Sequence, residues 1–400
     1  MSQPIYMDHH ATAPIDRRVL EVMMPYLEGD FGNASSRVHA YGKKANDAVE
    51  RARAQLASLI AASPEEIIFT SGATEADNLA LKGAVQAVPG ERAHIITLRT
   101  EHKAVLDSCK ALQSQGVRVT YLDVAEDGLV ELERLERAIE EDTLLISAML
   151  ANNEVGTVQD LGAIGALARK HGVLFHCDAA QGLGYLPFDV EAMGIDMASL
   201  SAHKMYGPKG VGALFVRRSL QSRGIPATQI HGGGHEQGFR SGTLNVPGVA
   251  GFGAAAALME REGRDEAERI GGLRDALQAR LLEQIPEIRI NGSVAHRHPG
   301  NLNLSFGYVD GAQLLLRLCE RVAVSSGAAC SSATEGPSYV LKALGVPKDW
   351  AAASIRFGLG RMSTQSHVET AASAAAEVVA GLRARSPQWA LHQAGVEVDW

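Results

Sequence analysis

Ser199 to Gly212 reads SLSAHKMYGPKGVG, and the fold turns on how Lys204, at the centre of this stretch, is held. An apolar, strand-like run (Ile195, Met197, Ala198, Leu200) leads in, and a second, Val211 to Val216, leads out. Ser201, His203, Gly207, Pro208 and Gly210 supply turn chemistry between them, so the lysine stands where two strands end. Upstream, Val173 to Gln181 (VLFHCDAAQ) reads as a third strand, with Asp178 and Gln181 at its end. A lysine beside hydroxyl and imidazole donors, with a carboxylate at a nearby strand end, suits pyridoxal phosphate. The lysine would form a Schiff base, and the carboxylate would keep the pyridine nitrogen protonated so that the ring acts as an electron sink. A loop lysine taken alone is more often a solvated charge. The surrounding chain reverses that reading.

Working outward, an alternation begins at Pro64. Strands are expected at Glu66 to Thr70, Ala93 to Leu98, Val117 to Leu122, Leu144 to Leu150, Val173 to Cys177, Ile195 to Leu200 and Val211 to Val216. Helices fall between most of them: Thr74 to Val88, a stretch from His102 through Gln113, Glu131 to Glu141, and Leu161 to Lys170. Such alternation implies right-handed crossovers and a mostly parallel sheet covered on both faces, with ligands bound beyond the strand ends. Thr74, His102, Asn153, Asp178 with Gln181, and Lys204 each follow a different strand, so five strand ends converge on one site. Before this block, one helix runs from Asp16, a good N-cap, toward Leu27, and another from Gly42 to Ala62. After it come a Gly-rich loop (QIHGGGHEQGFRSGTLN, Gln229 to Asn245), a helix from Pro247 to about Met259, and a separate polar helix from Gly263 to Gln284. Ile288 to Trp400 mixes strands (Asn301 to Val309, Ile355 to Leu359) with helices. The expected class is α/β: a large domain over 16–260, with a smaller α+β domain formed by 1–15 and 261–400.

Bulk properties narrow the function. With 46% hydrophobic and 21% charged residues the chain is ordinary globular, and a net charge of -8 argues against nucleic acid as a partner. No apolar run is long enough to span a bilayer. The N-terminal MSQPIYMDHH resembles neither a signal nor a transit segment, so a cytoplasmic setting is expected. The four cysteines form no CxxC pair and read as reduced thiols.

Each chemical candidate carries a plainer alternative. Ser71-Gly72-Ala73-Thr74 between strand and helix suits a phosphate, although Ser71 or Thr74 would equally serve as a simple cap. His102 could stack on a ring and move protons, or merely begin a helix. His231 and His235 are separated by residues that begin with three glycines, so no helix sets a metal spacing, and His296 and His298 fall in a polar turn. No metal site is expected. Cys109, Cys177 and Cys319 suit small core hydrophobes. Cys330, in VSSGAACSSA, reads as an exposed thiol in a pliable loop, as nucleophilic attack on a substrate requires. Arg356 could clamp a carboxylate in bidentate fashion, or be a surface charge on an edge strand.

With these residues in view, the chain resembles the cysteine desulfurases of the class V aminotransferase family, pyridoxal phosphate fold type I, of the kind that feeds iron–sulfur cluster assembly. The matching stretches are FTSGATEADNLALKG, TEHKAVLD, ANNEVGTVQD, FHCDAAQ, SAHKMYGPKGVGALFVRR, HGGGHEQGFRSGT, AVSSGAAC and SIRFGLGR, in order along nearly the whole chain. The resemblance implies that Lys204 carries the cofactor, His102 stacks on it, Asp178 pairs its nitrogen and Gln181 bonds its phenolic oxygen. It implies that Ala73, Thr74, Ser201 and His203 hold the phosphate, joined by Thr243 from the other subunit of a homodimer. Asn153, which also borders the cofactor, and Arg356 would bind the carboxylate of L-cysteine. Cys330 would take the sulfur as a persulfide, release alanine, and pass the sulfur to an iron–sulfur scaffold protein or another acceptor. It would also ligate a nascent cluster transiently. The chain departs from the family pattern at Ala328-Ala329, at Thr334 to Pro337 and at Ala11-Thr12-Ala13-Pro14. A selenocysteine lyase or class V aminotransferase is the alternative enzyme, and an inert partner-binding scaffold the alternative of another class.

Overall fold

The apolar runs between residues 67 and 216 form one seven-stranded sheet. In this computed structural model, which describes residues 3–88, 94–326 and 336–397, the strands are as follows. They are β1 (Ile5–Tyr6), β2 (Ile67–Thr70), β3 (His94–Leu98), β4 (Arg118–Leu122), β5 (Thr143–Ser147), β6 (Leu174–Asp178), β7 (Met197–Ser201), β8 (Gly212–Val216), β9 (Ile288–Ile290), β10 (Asn301–Phe306), β11 (Val322–Ala323) and β12 (Ser354–Gly358). The large sheet has the order β2-β8-β7-β6-β5-β3-β4, and β8 runs against its two neighbours while the other pairings are parallel. Because side chains alternate, Phe69, Ile96, Phe175 and Phe215 enter one core, and Ile68, Ile95, Leu145 and Leu214 enter another on the opposite face. Burial on both sides is why these strands read as continuous apolar runs.

A second sheet, β12-β10-β9, is antiparallel and packs Leu302, Leu304, Phe306, Ile355 and Phe357 into a core of its own. The chain start joins this unit, since β1 pairs in parallel with β11 and Met7 lies in the same core. Strands β9 and β11 and the short helices Lys348–Ala352 and Pro387–Gln393 were not anticipated. The helix expected from Asp16 spans Arg17–Glu28, with the Asp16 carboxylate accepting from Arg18 N.

One expectation is corrected. The two helices expected on either side of residue 260 are one helix, Val246–Gln284, of 39 residues. Gly263 does not break it because the space is taken: a Cβ there would stand 2.1 Å from the carbonyl oxygen of Gly184. The glycine permits a close backbone contact within the helix. The early turns of this helix give Val249, Phe252 and Met259 to the large-sheet core, and its late turns give Ile270, Leu277 and Leu281 to the small-sheet core. Among the described residues, no helix is long and apolar enough to cross a membrane.

Candidate active site

The C-terminal ends of the parallel strands surround a cavity of about 640 Å³. Ala73, Thr74, His102, Asn153, Asp178, Gln181, Ser201, His203 and Lys204 all line it. Its position follows from topology, because each connection after a parallel strand leaves a turn and a helix start at the same edge of the sheet.

Gly72 precedes the helix Ala73–Ala87 with φ 155° and ψ 176°, a backbone state in which a side chain is strained. That helix start has no side-chain cap hydrogen bond. The Ser71 N–H is instead spent on Glu75 Oε2 at 2.9 Å, and Glu75 is held by Arg240 Nε at 2.8 Å. Strand β8 closes the back of the turn: a Cβ on Gly212 would lie 2.6 Å from the Gly72 backbone. The open N–H groups and the helix dipole make this an anion cradle, with Thr74 in its first turn. His102 caps the helix Lys103–Gln113, its Nδ1 accepting from Ala104 N at 3.2 Å, and it also faces the cavity. The capping reading of His102 is seen, and the same side chain borders the cavity.

Asp178 ends β6 and accepts from Ala180 N at 2.9 Å. Burial pushes its carboxyl above the usual range, with His102 and Lys204 pulling it back. Gln181 donates through Nε2 to the His10 carbonyl at 2.9 Å, and Lys204 Nζ donates to the same carbonyl. Lys204 closes the single 3₁₀ turn Ala202–Lys204. His203 Nδ1 lies 3.1 Å from Thr12 Oγ1, and burial, then the Lys204 charge, lowers the imidazole to about 4. It is a neutral hydrogen-bonding group.

Arg356 lies on β12, an edge strand of the small sheet, yet it is only 2% exposed. Its Nη1 donates to the Asn153 carbonyl at 2.8 Å and its Nη2 to Asp8 Oδ1 at 2.7 Å. Burial removes the surface-charge alternative. Arg356 does not line the cavity itself, and Thr243 is exposed away from it. Cys330 lies outside the described residues, as do the neighbouring departures from the family pattern at 328, 329, 334 and 335.

Several site residues were not singled out in the sequence. His10 and Thr12 line the same cavity. His298, placed in a polar turn, is buried and packs edge-on against His10 at 4.6 Å between ring centroids. Asp77 and Glu101 are fully buried carboxylic acids behind the cavity, and ligand atoms of Asp77, His102 and Asp178 lie within 4.8 Å of one another. A short motif between apolar runs carried no signal for these, because burial of an acid is decided by elements far apart in the chain. Cys109 and Cys177 are fully buried, burial pushing Cys109 up to about 12, while Cys319 is half-buried. The core role expected of the first two is seen.

The residues fit pyridoxal phosphate on these observations. An uncapped helix start behind a glycine in a strained conformation accepts a phosphate, and a buried Asp178 whose burial disfavours its charge calls for a cation such as a pyridinium. Lys204 lines the same cavity as both.

The comparisons agree with this geometry. The sequence profile of the family described as Aminotransferase class-V matches residues 5–370. A protein named Cysteine desulfurase IscS from Anaeromyxobacter sp. (strain Fw109-5) is 55% identical over 403 residues, covering 100% of this chain and 99% of that protein. A solved structure described as NifS-like protein superposes with a TM-score of 0.88 at 36% identity, covering 95% of this chain and 100% of that one. Another, described as SspA in complex with cysteine, has a TM-score of 0.80 at 36% identity, covering 90% of this chain and 100% of that one. The chain belongs to the class-V aminotransferase family and, within it, to the cysteine desulfurases.

Proposed function

We propose that this chain is a pyridoxal-phosphate-dependent cysteine desulfurase, converting L-cysteine to L-alanine and passing the sulfur to Cys330. The observation that carries the reading is the convergence of Lys204, Asp178, Gln181, His102 and an uncapped helix start on one cavity. The desulfurase relative along the full chain and the SspA complex with cysteine support the substrate. Lys204 would anchor the cofactor, Asp178 would pair its nitrogen, Gln181 its phenolic oxygen, and His102 would cover the ring. Ala73, Thr74, Ser201 and His203 would hold the phosphate, with Thr243 reaching in from the second subunit of a homodimer. When bound, pyridoxal phosphate supplies an electron sink for the bonding pair released at the substrate.

The remaining work falls to the protein. Arg356, held beside Asn153, would supply the charged donor for the substrate carboxylate; among the described residues its Nε has no hydrogen-bond partner. Lys204 is the base at hand for the α-proton. The Cys330 thiol would take the sulfur: its S–S bond would form as the substrate C–S bond breaks, and the substrate carbon that keeps the bonding pair would be protonated to give alanine. Two cores joined by one helix support a large domain over 16–260 and a smaller one from 1–15 and 261–400. An iron–sulfur scaffold protein in the cytoplasm is the proposed sulfur acceptor.

The test is alanine and persulfide formation from L-cysteine under reducing conditions. Cys330→Ala should stay yellow and lose both products. Lys204→Ala should lose the cofactor's absorption band as well. Alanine release by Cys330→Ala at the wild-type rate would transfer the reading to a lyase or aminotransferase.

A further inference from the structure

The turn that follows β5 carries more than Asn153. Its next residue, Glu154, is 2% exposed, and its carboxylate accepts a hydrogen bond from the hydroxyl of Ser338, itself 4% exposed. Ser338 in turn caps the helix Tyr339–Ala343, accepting from Val340 N at 3.1 Å and Leu341 N at 3.2 Å. A hydroxyl that accepts two N–H groups has one proton to give, and Glu154 takes it. The Glu154 backbone carbonyl accepts from Asn303 Nδ2 at 3.0 Å and Asn301 Nδ2 at 3.3 Å, both on β10 of the small sheet. Immediately beside it, the Asn153 carbonyl accepts from Arg356. The residue after Ser338 makes a second tie, Tyr339 Oη donating to the Glu101 carbonyl at 2.7 Å, next to His102.

Ser338 and Tyr339 are thus fastened to the two turns that carry His102 and Asn153, a few residues along the chain from Cys330. A buried carboxylate is costly unless it is paired, and burial does push Glu154 up to about 7, with Ser338, Arg356 and Lys103 pulling it back. An apolar side chain at this position would pack at lower cost, so the acid has to serve a purpose that packing does not. We propose that Glu154 is a positioning residue for sulfur transfer, its carboxylate registering Ser338, at the root of the segment that carries Cys330, against the turn that carries Asn153. This rests on the assignment of Cys330 as the sulfur acceptor.

The experiment uses the holoenzyme and separates substrate capture from transfer. Capture is read as the L-cysteine concentration that half-saturates the change in cofactor absorption, and transfer as the single-turnover rate of persulfide on Cys330. Glu154→Ala should slow transfer by roughly tenfold to a hundredfold, the cost of a small misplacement of reacting groups, while half-saturation moves by less than about threefold. Glu154→Gln, whose amide oxygen still accepts the Ser338 proton, should restore transfer to within about threefold. Ser338→Ala cuts the same link from its other end, so Glu154→Ala/Ser338→Ala should be no slower than the worse single variant. Transfer at the wild-type rate in Glu154→Ala overturns the proposal. So does a raised half-saturating concentration together with slower transfer and a lower melting temperature that Gln fails to rescue, since Glu154 would then be structural only. Cys330→Ala run alongside keeps the two readings apart: alanine at the wild-type rate in that variant removes the desulfurase assignment itself.

Discussion

Asp77 shows how a single residue can be costly and still be kept. It is fully buried, neither carboxylate oxygen makes a well-formed hydrogen bond among the described residues, and His176 Nε2 is 3.6 Å away. That imidazole offers no charge. Burial lowers it to about 3, and its two nitrogens face the hydroxyls of Ser147 and Ser199 at 2.9 and 3.0 Å. Burial, then the Asp178 charge, holds the Asp77 carboxyl well above its ordinary value, with Ser199 pulling it back only in part. Since the folded state binds this proton more tightly than the unfolded chain does, Asp77 costs no stability below the ordinary carboxyl range and increasingly more as pH rises above it. Asp77→Asn, which keeps the shape and removes the ionisation, should therefore stabilise the cofactor-free protein at pH 8 by about 1–3 kcal/mol, the usual cost of an unmet buried polar group. At pH 4 the gain should nearly vanish. Urea midpoints at the two pH values measure this, and an equal effect at both would mean that Asp77 does not titrate above its ordinary range.

At the scale of elements, legibility followed the range of the interactions involved. The large-sheet strands were readable because burial on both faces leaves uninterrupted apolar runs, as in β3 (HIITL) and β8 (GALFV). The site residues at their ends were readable because topology gathers strand ends. The short pieces β9 and β11 were not, since a strand of two or three residues has no periodicity and exists only through its partner. Asp77, Glu101 and Glu154 were missed for the same reason, their environment being assembled from distant segments. The long helix Val246–Gln284 reads as two because its composition passes from small residues to polar ones near residue 260, and a glycine inside a helix is ordinarily a weakness, worth about 1 kcal/mol against alanine. Its glycines make a paired test. Gly263→Ala would push a Cβ to 2.1 Å from the Gly184 carbonyl, whereas a Cβ on Gly272, exposed in the same helix, meets nothing within 4 Å. Gly263→Ala should destabilise by about 1–3 kcal/mol through overpacking. Gly272→Ala should stabilise by up to about 1 kcal/mol through propensity alone. Chemical unfolding of both variants decides it, and matching signs would mean that the Gly184 contact imposes no strain.

Across the whole molecule, Arg361 joins parts that lie far apart in sequence. Its Nη1 pairs with Asp16 at the start of the first helix, and its Nε and Nη2 hold the Glu266 carboxylate of the long helix at 2.6 and 3.1 Å. Its backbone N–H donates to Tyr206 Oη at 2.6 Å, and its guanidinium lies 4.3 Å from the centroid of the Tyr206 ring. Tyr206, two residues beyond Lys204, holds φ 63°, an unfavourable backbone state for a tyrosine that the surrounding contacts must maintain. All three charged side chains are largely buried, with exposures of 12% for Arg361, 9% for Asp16 and 14% for Glu266. Removing the arginine therefore leaves Glu266 without its cation in a poorly solvated place, while Asp16 keeps Arg18, a loss of about 3 kcal/mol, the low end for a broken buried pair. The pair Arg17–Glu21, 91% and 65% exposed, is the contrasting case. Its loss should cost less than about 0.5 kcal/mol, because water and salt already screen it. Arg361→Met should accordingly lower the unfolding midpoint far more than Arg17→Met does. It should also weaken cofactor retention by releasing Tyr206 and, with it, the turn that holds Lys204. Dialysis against buffer lacking pyridoxal phosphate, followed by absorbance, reads that second effect. Full retention of the cofactor in a destabilised Arg361→Met would separate the latch from the site and confine Arg361 to holding the elements together.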